Sequence, residues 1–148
     1  MTGPAAPQRP WSLRELHDDL RAGRTTTADA LARTHAATDE TDSDVRAWVA
    51  RHPQPEADDT GPLGGVPLGV KDIIDVAGFP TKCGTTLRQD AAPADTDAAI
   101  VTSWRQAGAI PIGKTVTTEF AYFAPGPTRN PRAPGHTPGG SSSGSAAA

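Results

Sequence analysis

The sequence predicts an α/β fold, and three observations carry that reading. Residues 66–70 form an apolar run that reads as a buried strand. A helix start at Asp95 or Thr96 is followed by Ala99, Ile100 and Trp104 on one face. Residues 109–113 then return as a second strand after the helix stop at Gly108. Strand, helix, strand in that order implies two parallel strands joined by a right-handed crossover. A length of 148 residues and a net charge of -3 fit an ordinary domain.

The elements follow in order. Residues 1–11 carry Pro4, Pro7 and Pro10 without periodicity and are expected to be a flexible arm ahead of a domain at 12–148. Ser12 and Glu15 have the spacing of a capping box, and Leu13, Leu16 and Leu20 recur at helical spacing until Gly23. Thr26 or Thr27 can cap a second helix, with Asp29 in its first turn and Leu31 on its apolar face, running to about Thr38. The two helices read as an antiparallel hairpin. Val45, Ala47 and Val49 alternate with Arg46 and Trp48 as a short strand, and residues 51–61 read as an exposed loop. The strand at 66–70 then delivers Lys71 and Asp72 at its end.

Composition excludes several classes. No apolar run reaches the roughly 18 to 20 residues of a membrane span, and the N-terminal stretch lacks the pattern of a signal peptide, so a cytoplasmic location is expected by default. One cysteine allows no internal disulfide, and scattered Arg residues in a mildly acidic chain offer no stripe for nucleic acid. Leu, Ile, Val and Phe make up 22 of 148 residues, about 15% and below the roughly 20% that signals disorder, but the net charge is small, so the chain is expected to be part of a larger fold. A stop at Ala148 inside a Ser/Ala run points the same way.

Two segments could carry chemistry. Lys71 follows a Gly/Pro-rich apolar run, and tight packing there would desolvate the lysine and favour the neutral amine that a base needs. The same residue could instead be a strand-end lysine paired with a carboxylate. Residues 139–148, Gly-Gly-Ser-Ser-Ser-Gly-Ser-Ala-Ala-Ala, read by composition as a flexible linker or as a Gly/Ser loop opening a helix. His136 lies among prolines and reads as solvated, and Cys83 as a small packing residue.

Four motifs agree in order and spacing: Gly64 to Asp72; Gly113-Lys114-Thr115 with Thr118-Glu119-Phe120-Ala121; Pro127 to Pro131; and Pro138 to Ser145. Together they resemble the amidase signature family over nearly all of the chain from about residue 12. The resemblance implies a mixed β-sheet covered by helices, present here as its N-terminal part. It also implies a Ser-Ser-Lys triad that needs no metal or cofactor and cleaves a small-molecule amide. The lysine falls on Lys71 and the bridging serine, held by a cis peptide bond, on Ser141. Gly139, Gly140, Ser142, Ser143, Gly144 and Tyr122 fall on the loop and its support, or on the edge of a substrate pocket. The nucleophile is implied to be a further serine beyond Ala148, so the chain alone is expected to be inactive. Lys82 and Lys114 are expected to be dispensable for activity, so that replacing either with alanine should retain it.

Ser143 departs from the family's more usual glycine, and Thr118 and Tyr122 depart from the Asp and Met usual in the A subunits of aminoacyl-tRNA amidotransferases. These departures favour a stand-alone amidase. An amidotransferase A subunit or, in a different class, a non-catalytic truncated remnant are the alternatives. The sequence leaves the oligomeric state open.

Overall fold

The computed structural model describes residues 12–53, 55 and 60–148. The expected arm at 1–11 and part of the 51–61 loop lie outside the described residues. Helix α1 spans Leu13–Arg21 and opens on the expected capping box, in which Ser12 Oγ accepts from the Glu15 N–H at 3.1 Å and the Glu15 carboxylate accepts from the Ser12 N–H at 3.0 Å. Helix α2 spans Thr27–Val45 behind a second such box made by Thr26 and Asp29.

Helix α2 runs seven residues past the expected end, through a stretch of Asp, Glu, Thr and Ser that has little helix propensity. It ends at Arg46, which adopts a left-handed φ of 56°. The Asp42 carboxylate gathers the N–H groups of Ala47 and Trp48 at 2.6 and 3.3 Å just beyond that end. The strand expected around 45–49 therefore starts later, as β1 at Trp48–Arg51. Helices α1 and α2 border an open cavity of about 620 Å³ together with Trp48, Thr115 and Ala147.

Strands β2 (Pro67–Lys71) and β3 (Ile110–Thr115) pair in parallel, with helix α3 (Ala99–Gln106) between them in sequence. Strand β1 pairs antiparallel with β3, giving a mixed sheet of order β1-β3-β2. One face packs Val70, Val76, Phe79 and Val101 with Trp104 of α3, and the other packs Leu31 of α2 with Ile110, Ile112 and Trp48. Neither Asp95 nor Thr96 caps α3. Its N-cap is Ala98, while the Asp97 carboxylate accepts from the Ala77 N–H and from Arg105 Nε, each at 2.8 Å. Val101 rather than Ile100 supplies its buried contact, since Ile100 remains 48% exposed. The stop at Gly108 has φ +92°, and a Cβ there would collide with the Thr60 carbonyl and Gly64, so glycine is required on both counts.

Candidate active site

A bulge in β3 distributes the chemistry. Leu68 pairs with Pro111 but Gly69 pairs with Gly113, so Ile112 is an extra residue that resets which face the following side chains take. Beyond it, Val70 and Lys114 share the face covered by α3, and Lys71 and Thr115 share the face toward α2. The Asp72 N–H extends the ladder by donating to the Thr115 carbonyl at 2.9 Å.

Ser141 arrives on the Lys71 side from a different part of the chain. The Thr118 N–H donates to the Ser141 carbonyl at 3.0 Å, and the Phe120 N–H donates to the Cys83 carbonyl at 2.8 Å. The Gly140–Ser141 peptide is cis. Helix α4 (Ser143–Ala147) starts two residues later. It docks where the Gly144 N–H donates to the Val116 carbonyl at 2.9 Å, and a Cβ on Gly144 would meet the Val116 nitrogen and the Ala47 carbonyl. Ser145 Oγ and Thr115 Oγ1 share a 2.7 Å hydrogen bond. The outcome is a contact of 2.6 Å in which Lys71 Nζ donates to Ser141 Oγ across 70 residues of sequence.

Among the described residues Lys71, the last residue of β2, is half-buried, and β2 is an outer strand of the β1-β3-β2 sheet. Gly139, Gly140 and Ser142 are exposed, whereas Ser143 and Gly144 are buried. Among the described residues the Ser143 hydroxyl has no hydrogen-bond partner. Tyr122 is 74% exposed, its ring 4.5 Å from that of Phe123, and it sits next to Phe120 and Ala121, both at positive φ. His136 is exposed, and Cys83 is half-buried with φ 55°. Among the described residues no group of three His, Cys, Asp or Glu could hold a metal ion, and no helix is long and apolar enough to cross a membrane.

Sequence reasoning missed Lys114. Its side chain is completely buried and donates to Asp72 Oδ1 at 2.8 Å, Thr81 Oγ1 at 3.0 Å and the Pro80 carbonyl at 3.3 Å. Asp72 is also fully buried, and its Oδ2 accepts from the Lys82 N–H at 3.2 Å. The signal that could have found it was a lysine in the middle of an otherwise apolar strand, at 110–115, where burial without a carboxylate would be prohibitive.

The Amidase family model matches residues 24–148. The A subunit of a glutamyl-tRNA(Gln) amidotransferase from Akkermansia muciniphila is 40% identical over 93% of this chain and 31% of its own length. Among solved structures, a chain from a vestigial protein complex bearing on the origins of an s-triazine catabolic enzyme superposes with TM-score 0.85 at 31% identity, over 93% of this chain and 34% of that one. The peptide amidase of Stenotrophomonas maltophilia superposes with TM-score 0.72 at 32% identity, over 91% of this chain and 33% of that one. The chain thus spans about a third of the length of each of these relatives.

Proposed function

The chain belongs to the Amidase family, and from that premise we propose that it carries the general base and the relay serine of an amide hydrolase. The observation that carries this reading is the 2.6 Å contact between Lys71 Nζ and Ser141 Oγ. With the lysine neutral the contact runs in reverse, the hydroxyl donating to the amine lone pair. Lys71 then takes the Ser141 proton as Ser141 takes the proton of a nucleophilic serine. That serine attacks the amide carbonyl, the relay returns a proton to the leaving ammonia or amine, and water releases the acid from the acyl-enzyme.

The nucleophile in this proposal lies outside these 148 residues. Supporting that, among the described residues Ser143 Oγ is buried without a partner and Ser145 Oγ is engaged with Thr115, so neither is hydrogen-bonded to Ser141. Gly139, Gly140, Ser142, Ser143 and Gly144 shape the loop that aims Ser141, and Tyr122 offers an exposed aromatic surface at the edge of the substrate site. No cofactor is needed. The similarity to the glutamyl-tRNA(Gln) amidotransferase chain favours a second reading, in which the same pair serves an amidotransferase of that kind. Thr118 and Tyr122, unlike that branch, favour the stand-alone amidase.

The test is turnover of a panel of simple aliphatic and aromatic amides, with glutamine included. The 148 residues alone should show none. The protein extended to the length of its relatives should turn over simple amides, and Lys71→Ala or Ser141→Ala should abolish this. Preference for glutamine would select the amidotransferase reading, and no turnover at all the remnant. Turnover by the 148 residues that is lost in Ser142→Ala or Ser145→Ala would overturn the assignment of the nucleophile.

A further inference from the structure

We infer that Asp72 and Lys114 form a positioning pair that sets the distance between Lys71 and Ser141. The inference deepens the proposed function and rests on it for what Lys71 and Ser141 do. Asp72 follows Lys71 directly, and every polar group it owns is engaged. Its N–H is bound to Thr115 at 2.9 Å, its carbonyl to the Cys83 N–H at 3.0 Å, Oδ1 to Lys114 at 2.8 Å and Oδ2 to the Lys82 N–H at 3.2 Å. Lys114 in turn spends its three protons on Asp72, Thr81 and Pro80. The peptide that bears the proposed base is therefore fixed at its C-terminal side from within the core.

The same pair reaches Ser141. The turn at Lys82 and Cys83 that Asp72 holds accepts the Phe120 N–H through the Cys83 carbonyl at 2.8 Å, and Thr118, two residues before Phe120, holds the Ser141 carbonyl at 3.0 Å. Cys83, Phe120 and Ala121 on this path have φ of 55°, 46° and 58°, a region that side-chain-bearing residues occupy at a cost and keep only where neighbouring bonds enforce it. Stability alone gives no reason for the ion pair, since well-packed apolar residues of similar volume are often as good or better in such a place. A fully satisfied buried polar pair can instead fix the register of two distant segments, which is the role assigned to this pair.

The experiment reads the Lys71 amine directly, by labelling the intact protein with an amine-selective acylating reagent and quantifying the Lys71 peptide by mass spectrometry. In the parent protein, Ser141→Ala should raise Lys71 labelling about tenfold, the effect of removing one hydrogen bond to a charged group. In the double variant Asp72→Leu/Lys114→Met, Lys71 should already label at that raised rate, and adding Ser141→Ala should change nothing. Thr81→Val, which removes one acceptor from Lys114, should raise labelling part of the way, and Thr81→Ser should restore the parent rate. A folded double variant that keeps the parent rate and the full response to Ser141→Ala would overturn the inference. If the double variant does not fold, Thr81→Val at the parent rate overturns it. Unchanged labelling in the parent protein on Ser141→Ala would instead sink the underlying Lys71–Ser141 reading.

Discussion

Lys71 and Lys114 leave the β2–β3 pair one register step apart and on opposite faces, and their surroundings share almost nothing. Lys114 is sealed under α3 with a carboxylate, a hydroxyl and a carbonyl around its ammonium. Lys71 is half-open, and among the described residues its side chain hydrogen-bonds to the Ser141 hydroxyl alone. The Asp72 carboxylate has its cation beside it in the core, whereas Lys71 has only a hydroxyl beside it, the setting that the proposed relay requires. One extra residue in β3 separates these fates. Without the bulge at Ile112, Lys114 would share the face of Lys71 and the two cations would compete for the same side of the sheet.

The largest test of this contrast is Lys71→Ala in the active protein. Loss of the proposed general base should lower kcat by about 10²- to 10⁴-fold with little change in the unfolding midpoint, because the side chain is half-exposed and packs no core. Lys114→Met should show the opposite order of effects. It leaves the Asp72 carboxylate buried without its cation and should cost about 3 to 5 kcal/mol, read as a lowered denaturation midpoint. A Lys114→Met protein as stable as its parent would erase the difference between the two faces. Gly144→Ala comes next, since its Cβ would meet backbone atoms of Val116 and Ala47 and push α4 off the sheet. Overpacking of this kind costs about 1 to 3 kcal/mol, and chemical denaturation of the variant would measure it.

How much of this was legible in the sequence depended on whether the deciding contact was local. The first capping box was legible because Ser12 and Glu15 satisfy each other within one turn. The strand, helix, strand order was legible because apolar periodicity changes at Gly108. The end of α2 was not. It is set by the Asp42 side chain and a left-handed Arg46, not by a glycine or proline that the sequence would announce. Asp95 and Thr96 looked like capping residues, but α3 begins behind Ala98 without a side-chain cap, and the neighbouring Asp97 carboxylate is committed to Ala77 and Arg105. Lys71 and Ser141 were named through motif resemblance, since no spacing rule links residues 70 apart. Lys114 was passed over because its partners depend on a bulge that composition does not encode.

The smallest effect concerns the residue at which the chain departs from the more usual glycine. Ser143 opens α4 only 3% exposed and with its hydroxyl lacking a partner among the described residues, next to the segment that carries Ser141. An unsatisfied buried hydroxyl costs about 1 to 3 kcal/mol, and alanine is the better helix former by a few tenths of a kcal/mol. Ser143→Ala should therefore stabilise the fold by about 1 kcal/mol after some loss of packing. Ser143→Gly removes the same hydroxyl but gives back about 0.5 to 1 kcal/mol in backbone freedom, so its midpoint should lie between serine and alanine. Both variants keep the Lys71–Ser141 contact and should keep turnover. A fall in stability on Ser143→Ala would show that the hydroxyl finds a partner in the folded protein, which would give the α4 side of the sheet a polar contact of its own and narrow the contrast with the sealed pair on the α3 side.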